Sequence, residues 1–374
     1  MTHRAIIAAV AAALLPLAPL TGFAQPKAEP YKIGVTYPLT GPLAPSGKLT
    51  LIAIEQSVDD INKAGGVKGH PLALAVEDTQ GTPQGGVAAM RKLVQVDGVQ
   101  AIITIYTNVV TAQIPLSDQL KVPTLSTVES PGLVSKSQYS FAHSQTIANE
   151  APILHDYWKA KGYKRLAALY GNNALGLLIA PAVKAAALDD GMQYSETFFD
   201  LDATDYRGTA AKVKDFNPDA IFIAAQGSTG EQQMIKQVRE LGITAPMFSP
   251  SNTYNEAPWR AAVGTYADTV LFAGLNLDEA TSRDFIRAYE ARSNGPHPTY
   301  FAAEAYDLVQ MYAYAIGQGG YTGEGIRNAL AALKGVRSVI GGTITMGPDH
   351  YSLNGAISLW EPRAGKLVKV DIRR

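Results

Sequence analysis

The chain has 374 residues, a formal net charge of −1, 47% hydrophobic and 17% charged residues, and no cysteine. Near-neutral charge without a basic stripe argues against nucleic acid as a partner, and the missing thiols exclude disulfides, thiolate metal sites, a cysteine nucleophile and a lipid-bearing Cys. A chain this long and this apolar is expected to split into two cores.

Residues 1–24 read as a secretory signal peptide. His3 and Arg4 precede an apolar run from Ala5 to Leu20, which is followed by a small-residue cleavage site at Gly22-Phe23-Ala24. The run carries Pro16 and Pro19 and falls short of the roughly 20 apolar residues of a membrane span. The mature chain is expected to be soluble and free in a bacterial periplasm.

The mature part opens with the strand Ile33-Gly34-Val35-Thr36-Tyr37, the loop Thr40-Gly41-Pro42-Leu43-Ala44-Pro45-Ser46-Gly47, and a long helix stopping at Ala64-Gly65-Gly66. Leu51, Ile54, Val58 and Ile61 form one apolar stripe on that helix, while Glu55, Asp59 and Asp60 face elsewhere. A loop feeding a helix N-terminus points backbone N–H groups outward and suits small anions. The next units are a strand at Leu72–Val76, a helix from about Gln84 to Val94, a buried strand at Val99–Ile105, the loop Tyr106-Thr107-Asn108 with a helix ending near Lys121, and a strand at Val122–Ser126. Repeated strand–loop–helix units predict a parallel sheet covered on both faces, with binding loops at the carboxyl ends of its strands.

A second series begins after Phe141-Ala142-His143: strand Arg165–Tyr170, helix Leu175–Leu188, helix Tyr206–Phe216, strand Ala220–Ala225, helix Thr229–Leu241 and the short strand Met247-Phe248. Beyond Val270-Leu271-Phe272 the chain is mainly helical to Lys334, then β-rich from Gly341 to Val370. Two α/β lobes with the chain crossing between them is the economical reading.

Motifs for catalysis are missing. The six histidines are scattered without an H-E-x-x-H, and no G-x-S-x-G occurs. Gly317-Gln318-Gly319-Gly320 follows a helix and has Thr322 where a dinucleotide loop needs its third glycine, so it reads as a helix-to-helix turn. His143 reads as structural, with a place in the cleft as its other reading. The expectation is a binder without cofactor, not an enzyme.

Four segments carry a resemblance to a known family: Thr40-Gly41-Pro42 with Ser46-Gly47, Asp60-Ile61-Asn62-Lys63-Ala64-Gly65-Gly66-Val67-Lys68-Gly69, the helix end from Gln237 to Gly242, and Ala305-Tyr306-Asp307. Over essentially the whole mature chain the sequence resembles the branched-chain amino-acid-binding periplasmic solute-binding proteins that feed ABC importers. The resemblance implies the type I periplasmic binding protein fold: α/β, two doubly wound lobes with parallel central sheets, joined by three hinge strands. One lobe would comprise residues 27–143 plus 276–346, the other 144–275 plus 347–374. Hinge motion would fall near Ser144, Gly274 and Gly347.

It also implies a carboxylate-bearing small-molecule ligand in the interlobe cleft, membrane permease subunits as partners, and a monomer. Hydroxyls and backbone N–H groups of Tyr106, Thr107 and Asn108 would hold the carboxylate, with Thr107 foremost, and Thr107 also suits an N-cap. Thr127 and Glu129 take the next loop's places, Glu129 as a ligand partner or as a solvated acid. Ser46 and Leu175 stand where relatives place aromatic walls. Gln226, Ser228, Ser251, Asn252 and Tyr254 are second-lobe candidates.

The loop that supplies an acidic partner to a ligand ammonium in the family reads Ser249-Pro250-Ser251-Asn252-Thr253, without a carboxylate. A buried, unpaired ammonium costs several kcal/mol, so either Glu129 takes that duty or the ligand has no α-ammonium. Tyr106 could stack on a ring. The reading favours a small organic acid, aromatic acids included, over a branched-chain amino acid. The rival class is a ligand-sensing receptor subunit of the same fold, which would need a membrane helix or an output domain.

Overall fold

A computed structural model describes residues 28–129, 132–189, 191–225, 227–250, 257–275, 277, 280–352, 357–363 and 366–372. The expected signal segment, residues 1–24, lies outside them, as do Gln226, Ser251, Asn252 and Tyr254. No helix among the described residues is long and apolar enough to cross a membrane.

The first half alternates strand and helix: β1 (Tyr31–Tyr37), α1 (Ala44–Lys63), β2 (Leu72–Asp78), α2 (Pro83–Gln95), β3 (Ile102–Thr104), α3 (Thr107–Leu120), β4 (Thr124–Ser126) and β5 (Ser140–His143). The chain then forms α4 (Ile147–Ala160), β6 (Arg165–Gly171), α5 (Ala174–Asp189), β7 (Gln193–Phe199), α6 (Arg207–Phe216), β8 (Ala220–Ala224), α7 (Thr229–Glu240), β9 (Met247–Ser249), α8 (Ala257–Val263) and β10 (Val270–Gly274). Helices α9 (Arg283–Ser293), α10 (Tyr300–Gly319) and α11 (Gly323–Ala331) come next. Strands β11 (Lys334–Arg337), β12 (Thr343–Thr345), β13 (Tyr351–Ser352), β14 (Ser358–Arg363) and β15 (Lys366–Lys369) end the described chain.

Two sheets result. The first has the order β13-β5-β4-β3-β1-β2 and the second β15-β14-β10-β9-β8-β6-β7. Strands β1 to β5 pair in parallel, as do β6 to β10, while β14 and β15 add an antiparallel edge to the second sheet. The parallel portions share one topology, so β6, β8 and β9 are the counterparts of β1, β3 and β4. Apolar side chains of α1, α10 and α11 pack on one face of the first sheet, and those of α2 and α3 on the other. The second sheet is sandwiched between α4 with α5 and α6 with α7 and α8.

Local sequence explains the joints. A side chain at Gly47 would bring its Cβ to 2.1 Å from the Pro38 carbonyl oxygen, so the first turn of α1 can rest on the exit of β1 only with glycine there. Gly66, at φ 75°, ends the α1 turn against the His70 carbonyl, 2.2 Å from where a Cβ would sit. Of the expected turn at Gly317-Gln318-Gly319-Gly320, the first three residues are instead the last of α10, and the turn to α11 starts at Gly320, whose φ of 78° ends the helix.

The tail departs from expectation. Tyr351 and Ser352 pair in parallel with β5 in the first sheet, so the passage to the second sheet falls between Ser352 and Ser358, beyond the expected position at Gly347. Gly347 instead starts a tight turn, its N–H donating to the Tyr351 carbonyl at 2.8 Å. His143 is buried there as a structural residue, its Nδ1 2.9 Å from Ser352 Oγ and its Nε2 3.6 Å from Asp307.

Candidate functional site

The carboxyl ends of equivalent strands in the two sheets face one another across a cleft of about 550 Å³, its opening to solvent included. This is the crevice that the strand order of a doubly wound sheet creates. The first lobe contributes Ser46 from α1, Ile105-Tyr106-Thr107 after β3 and Thr127-Val128-Glu129 after β4; the second contributes Leu175 of α5, the exits of β8 and β9, and Glu231 of α7. Phe301 of α10 completes the wall. No Lys, Arg or His lines the cleft among the described residues.

The Tyr106 backbone sits at φ 69° and ψ 126°, a conformation rare for a side-chain-bearing residue. It turns the chain so that α3 begins at Thr107, with both residues lining the cleft. Tyr106 gives α3 no side-chain cap, and the first turn of α3 carries no acidic residue. Thr127 is 4% exposed, and its Oγ1 is buried without a hydrogen-bond partner. An unsatisfied buried hydroxyl costs about 1–3 kcal/mol, a cost a ligand acceptor would offset.

The α7 mouth is built differently. Ser228 caps the helix, its Oγ accepting the Glu231 N–H at 3.2 Å, and the Glu231 carboxylate accepts the N–H groups of Ala225, at 2.9 Å, and Gly227, at 2.5 Å. The protein's own carboxylate thus takes backbone donors at this mouth.

Glu129 is not a solvated acid. It is 7% exposed, and its Oε1 accepts the Tyr300 hydroxyl at 2.6 Å. The same hydroxyl accepts Gln145 Nε2–H at 2.9 Å, while Gln145 also donates to the Pro250 carbonyl and accepts the Leu275 N–H at 2.7 Å. Gln145 therefore ties the first crossing between the sheets to the second and to the cleft. Burial pushes the Glu129 carboxyl up to about 7, against the hydrogen bonds from Tyr300 and Gln145. Nearby Glu150 and Glu304 are also buried and raised, first by burial and then by neighbouring acids.

The structure thus gathers Ser46, Tyr106, Thr107, Thr127, Glu129 and Leu175 at one cleft. Two expected contacts are absent from its lining. Asn108 points its amide to the Gly81 carbonyl at 2.7 Å, because the first turn of α3 carries it toward the β2–α2 loop, and Ser228 spends its hydroxyl on the cap. Sequence reasoning missed Glu231 and Phe301. Ser228-Thr-Gly-Glu231 has capping-box spacing, which could have placed that carboxylate at a helix mouth. The α10 pattern gave no local sign that Phe301 reaches the cleft.

Fold and cleft together define a two-lobed α/β binding protein. The chain belongs to the periplasmic binding protein family, whose family model matches residues 30–365. It is 29% identical over 365 residues to a Leu/Ile/Val-binding protein homolog of Brucella melitensis, covering 94% of this chain and 96% of that one. The fold matches a leucine-binding protein from Thermotoga maritima with a TM-score of 0.82 at 19% identity, covering 91% and 97% of the two chains. It also matches an ABC-transporter solute-binding protein from R. palustris, crystallised in complex with benzoate, with a TM-score of 0.81 at 19% identity, covering 91% and 95%. These relatives are solute-binding proteins, and the family places such chains in the periplasm.

Proposed function

We propose that this protein is the periplasmic solute-binding component of an ABC importer, capturing a small organic acid, aromatic carboxylates included, between its lobes. The observation that carries the reading is the cleft's asymmetry. Thr107 and the unpartnered Thr127 hydroxyl line its first-lobe side, whereas backbone donors at the α7 mouth already hold Glu231. Tyr106 and Phe301 supply flat apolar surface for a ring. The benzoate in the R. palustris neighbour supports this chemistry, and the names of the Leu/Ile/Val-binding relatives support the branched-chain amino acids as second candidates.

Ligand docks on the first lobe, and contacts made only in the closed state draw the second lobe in, with bending at the crossings near Ser144 and Gly274. Closure presents a surface from both lobes to the membrane permease. A thermal-shift screen of benzoate, hydroxybenzoates, aliphatic acids and amino acids tests the reading, since a ligand specific for the folded state raises Tm. The largest shift is expected from a carboxylate lacking an α-ammonium; a larger shift with leucine, isoleucine or valine overturns the ligand assignment.

A further inference from the structure

We infer that Glu129 determines specificity by entering the liganded cleft protonated, so that the protein takes up a proton with each carboxylate ligand and selects monoanionic acids over zwitterions. The inference rests on the proposed ligand class. Glu129 follows Thr127 by two positions in the β4 loop, and both line the cleft. An anion bound by Thr127 therefore lies beside this carboxyl, in a site whose described lining includes no basic side chain. Two like charges at such a distance, shielded from water, do not both persist.

Among the described residues, those that face Glu129 offer no cation either. From α10 it meets Tyr300, with Glu304 behind it; from α4 comes Glu150; across the cleft lies Glu231 of α7; Tyr106 stands at the α3 mouth. Both Glu150 oxygens and Glu304 Oε1 are buried without hydrogen-bond partners. His143 lies against Asp307 and Ser352. Burial raises the Glu129 carboxyl already in the empty cleft, against the hydrogen bonds from Tyr300 and Gln145. A zwitterion reverses the sign: its ammonium would favour ionised Glu129, and binding would release a proton.

The test is calorimetric titration of benzoate at about pH 8, where the empty site is mostly ionised, in two buffers of different ionisation enthalpy. Uptake approaching one proton per benzoate is expected, with Kd rising about tenfold per pH unit above about 7. The Glu129→Gln variant should bind without proton uptake and without that pH dependence. Benzoate binding with no uptake, or uptake that persists in E129Q, overturns the inference and leaves the proposed function standing. L-leucine binding with proton release at about pH 6, where the empty site is mostly protonated, and no binding of benzoate, overturns the inference and the ligand class together. Failure of benzoate, 4-hydroxybenzoate and the branched-chain amino acids to bind sinks the proposed function itself.

Discussion

The α3 and α7 helices begin at equivalent places, after the third strand of each 2-1-3-4-5 sheet, yet their mouths are finished in opposite ways. At α7, Ser228 caps and Glu231 draws in the loop N–H groups of Ala225 and Gly227. At α3, the N-cap Tyr106 supplies no side-chain cap, holds a strained backbone, and lines the cleft with Thr107. At α7 the protein's own carboxylate occupies the loop donors, whereas the first turn of α3 carries no acidic residue, which on the proposed function leaves its dipole to a guest. One topology used twice therefore yields a cleft with two differently finished helix mouths, and the proposed function takes the α3 side as its anion end.

Several changes would break or sharpen this contrast. The largest effect is expected from pH. Glu129, Glu150 and Glu304 are all raised above their unfolded values, so the empty protein is most stable below about pH 4.5 with respect to these groups. That contribution is lost as pH rises through 7 and beyond, and chemical denaturation across pH, compared with Glu129→Gln, would show a shallower loss in the variant. Glu231→Ala strips the acceptor from two loop N–H groups and should cost about 2–4 kcal/mol of stability, read from the urea midpoint.

Thr107→Ala should lower carboxylate affinity by about 1–3 kcal/mol with little change in stability, and unchanged affinity in a titration would remove Thr107 from the site. Ser228→Ala, the loss of a helix cap, should cost about 1 kcal/mol of stability while sparing affinity. If Ser228→Ala instead weakened binding as much as Thr107→Ala, the two mouths would not differ in role.

Much of the fold is legible locally, since parallel α/β units announce themselves by alternating periods. The α1 stripe from Leu51 to Ile61 and its Gly65-Gly66 stop match the helix ending at Lys63. Edge strands are harder to read: β7, Gln-Tyr-Ser-Glu-Thr-Phe-Phe, is half-buried on both faces and lacks the run of apolar residues that marks β6 or β8. Candidate residues on loops after strands, such as Thr107, Thr127 and Glu129, reach the cleft because sheet topology delivers them there. Asn108 stays out of the cleft lining because one helical step separates it from Thr107 and swings it to another face. Phe301 comes from a helix far along the chain, where only tertiary packing brings it to the cleft.

The central claim is that the cleft holds its ligand's carboxylate on the first lobe. A crystal structure with benzoate, or with whichever acid gives the largest thermal shift, tests it directly. The account predicts the carboxylate oxygens within hydrogen-bond reach of Thr107 and Thr127, with the apolar part against Tyr106 and Phe301. A carboxylate seated at the α7 mouth in place of Glu231, or an amino group paired with an ionised Glu129, would contradict it.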